Sequence, residues 1–198
     1  NVHFYAIDGN GIRKFIAGVS HTINGYSIMG SHQVTLRQLI NYYKANATYP
    51  DYYANTEVPT IEAFCQMYAE EASVEGVRVE VAFCQAMKET AFLRYGGDVD
   101  ISQYNFAGIG ATGNGAKGNS FSSPREGVRA QIQHLKAYAS TDDLVLGCVD
   151  PRFKYVRRGT APYVEWLGIR ENPNGTGWAT AVGYGNNIVQ RIKKLKTY

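Results

Sequence analysis

The chain has 198 residues, of which 44% are hydrophobic and 19% charged, with a formal net charge of +3. That composition excludes a disordered chain, and no apolar run approaches the ~20 residues a membrane-spanning helix needs. The small positive excess predicts mild attraction to anionic surroundings and no dedicated nucleic-acid surface: the densest basic run, Arg191-Ile192-Lys193-Lys194-Leu195-Lys196, reads as the solvated face of a terminal helix.

Residues 1–29 alternate as strands do, with Val2, Phe4 and Ala6 and then Phe15, Ala17 and Val19 on either side of Asp8-Gly9-Asn10-Gly11, a hairpin-turn signature. The opening residues have neither a basic start nor a cleavage site, so no signal peptide is expected among them. From Val34 the period becomes helical, with Thr35 placed to cap a helix carrying Leu36, Leu39, Ile40 and Tyr43 on one side. After a Tyr- and Asn-rich connector, Thr60 starts a second helix with Ile61, Phe64, Cys65, Tyr68 and Ala72 in a stripe and acidic residues opposite. A third helix, residues 78–95, is apolar nearly all round, which predicts a central, buried element ended by Gly96 and Gly97. Residues 96–121 form a Gly-, Asn- and Ser-rich loop of a length that usually carries function. Ser123, Pro124 and Glu126 then supply the N-cap, first turn and capping box of a helix running through Val128, Ile132, Leu135 and Tyr138. Beyond Asp150-Pro151 an irregular aromatic stretch holds a short helix near Tyr163, and a last helix covers residues 184–196. The three cysteines cannot all pair, and Cys65 and Cys84 read as buried thiols on helices.

Glu89 stands out within the third helix. Its neighbours on the helix surface are Ala82, Gln85, Ala86, Phe92 and Leu93. Burial favours a protonated carboxyl, and so does the negative end of a helix dipole; both suit a general acid. The plainer alternative is a buried glutamate satisfied by Arg78, Lys88 or Arg94.

Other motifs lack their context. Gly108-Ile109-Gly110-Ala111-Thr112-Gly113 fits a dinucleotide-binding spacing but has no buried strand before it and no helix after it. His3, His21, His32 and His134 are scattered, none with a partner at metal-ligand spacing, so no metal is expected. No G-x-S-x-G elbow and no activated cysteine is present, and no organic cofactor is implied.

Glycoside hydrolysis needs a carboxylic acid to protonate the leaving oxygen, and Glu89 can supply it. The 15 Tyr, 8 Phe and 2 Trp offer faces for sugar rings, although many must serve the core. The stretch Val81-Ala82-Phe83-Cys84-Gln85-Ala86-Met87-Lys88-Glu89-Thr90, followed by Asn105-Phe106-Ala107-Gly108-Ile109 and by Gly177-Trp178-Ala179-Thr180 with Tyr184 and Ile188, resembles the glucosaminidase domain of bacterial peptidoglycan hydrolases, glycoside hydrolase family seventy-three. The resemblance implies a mainly α, lysozyme-like domain over residues 29–198 with a small β-lobe by the cleft, preceded by a β extension over residues 1–28. It implies Glu89 as catalytic acid, Tyr184 facing the reaction centre, and Gln85, Asn105, Phe106, Gly108 and Trp178 as substrate-binding residues. The expected partner is the glycan strand of peptidoglycan, met as a monomer at the cell wall or outside the cell, in a bacterial or phage-encoded protein that inserts into no membrane.

Three departures from the family pattern stand in this chain. Ala91 occupies a position where Gly is frequent, Ala181-Val182 replaces an Asp-Pro, and residues 108–121 contain no acid. Asp98, Asp100, Glu126 and Glu165 are the nearest substitutes for a second carboxylate. Without one, the substrate's own 2-acetamido group could attack its anomeric carbon. The rival readings are a lytic transglycosylase on the same polymer and an inactive wall-binding module.

Overall fold

The computed structural model describes residues 2–7, 13–19, 25–111, 115 and 117–198. Strands β1 (Val2–Ile7) and β2 (Arg13–Val19) pair antiparallel, with Val2 opposite Val19 and a register irregularity between Phe4 and Tyr5. The Asp8-Gly9-Asn10-Gly11 turn signature between them lies outside the described residues. Tyr26 and Ile28, which sequence reasoning placed with the extension, are bonded into the helical body. Ile28 N–H donates to Pro162 O (3.0 Å), Val164 N–H to Tyr26 O (2.8 Å), and the Ile28 side chain is fully buried.

The body is mainly helical. Helix α1 (Leu36–Lys44) opens on a capping box in which Thr35 Oγ1 accepts from Gln38 N–H and Gln38 Oε1 accepts from Thr35 N–H. Helix α2 (Ile61–Glu75) is capped by Thr60 and buries Ile61, Phe64, Cys65, Tyr68 and Ala72 as its stripe predicts. Its acidic residues do not all face solvent: Glu71 and Glu75 are buried against α4 (Pro124–Ala139). Arg125 and Arg129 reach Glu71 at 2.9 and 2.8 Å, and Lys136 reaches Glu75 at 2.9 Å. Each buried charge thus has a partner, the condition under which burial is tolerated.

Helix α3 (Val79–Glu89) packs against α2, α4 and the last helix, α5 (Tyr184–Leu195), and buries every residue from Val79 to Met87. It is shorter than the sequence predicts. The chain leaves the helix at Thr90 and turns left-handed through Ala91 (φ 50°), Phe92 (φ 59°) and Leu93 (φ 62°), well before Gly96. Thr90 Oγ1 directs the turn, donating to Ala86 O (2.7 Å) and accepting from Leu93 N–H (2.9 Å), while Phe92 N–H closes it on Met87 O (2.9 Å). The turn drives the Phe92 and Leu93 side chains into the core. Three non-glycine residues in this region cost about 1–2 kcal/mol each, which the burial of Phe92 and Leu93 offsets.

The expected β-lobe is absent as strands: among the described residues of 105–121 none is formed. One buried side chain shapes the loop instead. Asn105 Oδ1 accepts from the N–H groups of Ala107 (3.4 Å) and Ile109 (2.9 Å), and Nδ2 donates to Ile109 O and Asn119 O (both 2.9 Å). Those backbone groups, which a ladder would have used, are taken by the asparagine.

Candidate active site

The ends of α3 and α4, the loop at residues 107–111, residues 152–156 and the segment at 178–181 leading into α5 enclose a cleft of about 720 Å³. Glu89, the last residue of α3, stands in its wall. Its backbone is open at the helix end, while its side chain keeps 24% exposure. The carboxylate is therefore half sheltered, at the edge of a cleft and not sealed in the core, as the polar loop after an apolar helix predicts. The α3 turn away at Thr90 is what opens it.

One oxygen of Glu89 is held. Tyr184 OH donates to Oε1 at 2.8 Å, and Lys88 Nζ lies 3.5 Å from the same oxygen and 4.6 Å from the Tyr184 ring centre. The other oxygen, Oε2, has no hydrogen bond among the described residues; a Cβ on Gly108 would sit 3.9 Å from it, so the loop across the cleft approaches Glu89 as bare backbone.

Tyr184 is buried at the first position of α5, brought there by Gly185, whose missing side chain lets the helix lie directly on the backbone of Val164 and Glu165. Burial, and then the neighbouring Glu89 carboxylate, hold its phenol well above the ordinary range, so it remains a donor. Behind it runs a directed chain of buried hydrogen bonds. Tyr68 OH donates to Gln131 Oε1 (2.7 Å), Gln131 Nε2 to Gln85 Oε1 (2.9 Å), Gln85 Nε2 to Tyr184 OH (3.1 Å) and Tyr184 OH to Glu89. Gln131 Nε2 also donates to Ala82 O (2.9 Å), which fixes its amide orientation. Four helices thus contribute to the placing of one carboxylate.

The sequence-predicted site residues separate into two groups. Glu89, Tyr184, Gly108 and Trp178 line the cleft. Gln85, Asn105 and Phe106 do not: all three are buried behind it, Gln85 in the hydrogen-bond chain, Asn105 within its loop, and Phe106 against Phe64 at 5.2 Å between ring centres. They carry the wall and offer no surface to a sugar. The four substitute acids also lie elsewhere. Asp98 and Asp100 line a separate pocket with Arg94 and Lys117, where Asp100 caps a short turn by accepting from Ser102 N–H (2.9 Å). Glu126 accepts from Ser122 N–H (2.6 Å) and Glu165 from Tyr26 N–H (2.9 Å).

Sequence reasoning set His134 aside, and the structure places it in the cleft wall with Asp150 Oδ2 2.6 Å from its Nδ1. Tyr138, Lys88 and Arg152 line the same space. His134 and Asp150 lie sixteen positions apart on either side of an irregular segment, a spacing with no recognisable signature. Among the described residues no cluster of three or more His, Cys, Asp or Glu side chains is disposed to hold a metal ion, and no helix is long and apolar enough to cross a membrane.

Two solved structures share the fold. A catalytic mutant of Staphylococcus aureus autolysin E in complex with the disaccharide NAG-NAM superposes with a TM-score of 0.57 at 14% identity, covering 91% of this chain and 74% of that one. Autolysin E in complex with a muropeptide gives 0.56 at 15% identity, covering 93% and 80%. An uncharacterized protein of Borreliella burgdorferi is 46% identical over 104 residues, and the match spans 52% of this chain and 51% of that relative. The glucosaminidase family, described as mannosyl-glycoprotein endo-beta-N-acetylglucosaminidase, matches residues 65–197, well over half of the chain and all of α3, α4 and α5. The chain therefore belongs to this family of glycoside hydrolases.

Proposed function

We propose that the protein is an endo-β-N-acetylglucosaminidase that cleaves the β-1,4 bond on the reducing side of N-acetylglucosamine in peptidoglycan, with Glu89 as general acid. The observation that carries this reading is that Glu89 is the one carboxylate among the described residues lining the cleft, with one oxygen fixed by Tyr184 and the other free. A protonated Glu89 gives its proton to the bridging oxygen as the C1–O bond breaks. With no second acid at hand, the carbonyl oxygen of the 2-acetamido group bonds to C1 and holds the sugar as an oxazolinium ion. Glu89, now a carboxylate, then takes a proton from the water that opens it. Tyr184, kept as a phenol, orients the Glu89 carboxyl through both steps. The family match and the autolysin likeness supply the substrate class, and action at the wall or outside the cell follows from that substrate.

Digestion of purified walls by wild type and Glu89→Gln, read by mass spectrometry of the released fragments, tests the assignment. The expected result is fragments with a free N-acetylglucosamine reducing end and a rate loss of at least about a hundredfold in the variant. Anhydro-muramic ends would identify a lytic transglycosylase, and undiminished digestion by the variant would remove Glu89 from the chemistry. The anomer first formed, followed by NMR, is expected to be retained; inversion would exclude participation of the acetamido group.

A further inference from the structure

The His134–Asp150 pair is built as a fixed hydrogen-bond acceptor. Asp150 is fully enclosed, and Gln133, itself buried, holds its segment by accepting from Val149 N–H (2.8 Å) and Asp150 N–H (3.2 Å). Asp150 Oδ1 accepts from Arg152 N–H (2.8 Å), which leaves Oδ2 to face His134 Nδ1. An ionised carboxylate only accepts, so the neutral imidazole must carry its proton on Nδ1 and present a lone pair at Nε2. Two rings set the plane of that imidazole. Trp178 stands edge-on at 4.6 Å and 89°, and Tyr138 at 5.4 Å and 79°. Nε2 has no hydrogen bond among the described residues, yet it is not one of the two enclosed side-chain atoms without a partner, which are Arg158 Nε and Glu171 Oε2. The free lone pair is therefore open to solvent in a residue that lines the Glu89 cleft.

We propose that His134, held by Asp150, binds the 2-acetamido group of the sugar under attack, with Nε2 accepting the amide N–H and Trp178 and Tyr138 walling the methyl. The proposal rests on the function assigned to Glu89 above. An N-acetyl group has an N–H that needs an acceptor, a methyl that gains from an apolar wall and a carbonyl oxygen that must stay free to reach C1. The site offers a lone pair and two aromatic walls, and leaves the carbonyl unclaimed. As the carbonyl oxygen bonds to C1 and the C1–O bond breaks, Glu89 protonates the departing oxygen and positive charge develops on the amide nitrogen. The imidazole, backed by the Asp150 carboxylate, offsets that charge through the shared N–H proton, where other sites would use a second acid. When water adds to C1 and gives its proton to Glu89, the acetamido group is restored with its N–H still hydrogen-bonded to His134.

Kinetics on a soluble, fully N-acetylated glycan of defined length test this. His134→Ala removes the acceptor, whereas Asp150→Asn places an amide N–H against Nδ1, moves the ring proton to Nε2 and turns the acceptor into a donor. Each is expected to lower kcat about tenfold to a hundredfold with KM changed by less than about threefold. His134→Gln, which keeps an acceptor oxygen at the end of the side chain, should recover part of that loss. Rates within about twofold of wild type in both His134→Ala and Asp150→Asn, or a change confined to KM, would overturn the proposal. Saturation-transfer NMR of the same glycan on Glu89→Gln supplies a second measurement, independent of whether a His134 variant folds. The acetamido methyl should receive the strongest saturation, and strong ring protons with a weak methyl would overturn the assignment. If instead Glu89→Gln cleaves as fast as wild type, it is the general-acid reading that fails.

Discussion

Glu75 closes α2 as Glu89 closes α3, and the two helices pack side by side. Glu75 is enclosed and bonded at both oxygens: Lys136 Nζ and Val145 N–H reach Oε2 at 2.9 and 3.0 Å, and Leu146 N–H reaches Oε1 at 3.1 Å. Glu89 has one oxygen occupied and the other open to a cleft. The path of the chain beyond each helix makes the difference. After Glu75 the chain passes Gly76 in a left-handed cap and leaves the carboxylate under the segment at residues 145–146. After Glu89 the chain turns away through Ala91 to Leu93, and the loop that approaches Oε2 does so as the backbone of Gly108. A carboxylate with both oxygens claimed by buried donors can only hold structure; one with a free oxygen on a cleft can move a proton.

Breaking the pair at Glu75 should have the largest effect. Glu75→Ala leaves Lys136 buried without a counter-charge, for a loss of about 3–5 kcal/mol seen in chemical denaturation, with specific activity of the folded fraction retained. Glu89→Gln should show the converse, a loss of at least about a hundredfold in activity with a melting temperature near wild type. A Glu89 variant as unstable as the Glu75 variant would erase the distinction.

The hydrogen-bond chain behind Glu89 sharpens it. Gln131→Leu leaves the Tyr68 hydroxyl and the Gln85 carbonyl oxygen without partners, and should cost about 2 kcal/mol of stability. It should also lower kcat about threefold to tenfold with KM unchanged, if it acts through Tyr184 with a coupling of about 1 kcal/mol. Once Tyr184→Phe has removed the hydroxyl, Gln131→Leu should lower kcat no further. Additive losses in the double variant would mean that the chain supports the fold and does not position Glu89.

This chain was the least legible part of the site. Thr35, Thr60 and Ser123 announced their helices because a capping side chain acts on backbone within three residues of itself. Glu89 stood out as a charge on an apolar helix. Gln131 and Tyr68 lie 46 and 63 positions from the groups they touch, and neighbouring residues carry no trace of such pairings. The end of α3 departs from the sequence pattern for a related reason. Ala, Phe and Leu have no preference for left-handed backbone, and they adopt it because Thr90 and the burial of two side chains outweigh the local cost. Asn105 offered a partial signal, since an asparagine side chain in a loop can bond backbone groups a few residues on in place of a strand ladder.

Acid should test the buried pairs between α2 and α4. Burial works against ionisation of Glu71 and Glu75, but the hydrogen bonds from Arg129 and Arg125 to the first, and from Lys136 and the Val145 and Leu146 amides to the second, hold both below the ordinary carboxylate range. Depressed folded values mean that the unfolded chain binds protons more tightly. Their stabilisation is thus complete above the unfolded value of about 4.3 and is lost as pH falls through the folded values. Melting temperatures taken from pH 6 downwards should fall below that point, and the fall should flatten in Glu75→Gln/Lys136→Met. A flat profile in wild type would place the acid sensitivity outside the α2–α4 pairs.

The smallest expected effect tests the turn that exposes Glu89. Ala91 holds φ at 50°, which costs an alanine about 1–2 kcal/mol and a glycine almost nothing. Glycine loses more freedom on folding, by about 0.5–1 kcal/mol, so Ala91→Gly should stabilise by about 0.5–1 kcal/mol, a rise of about 1–4 °C in melting temperature. Ala69→Gly, inside α2, should instead destabilise by about 1 kcal/mol. The opposite signs of one substitution at two sites would show that strain is stored beside the carboxylate, and a loss of stability at both would mean that the turn at residues 91–93 is not left-handed in solution. If relaxing the turn also loosens Glu89 against Tyr184, Ala91→Gly should lower kcat slightly while raising stability, the pattern of a conformation held under strain for the sake of the site.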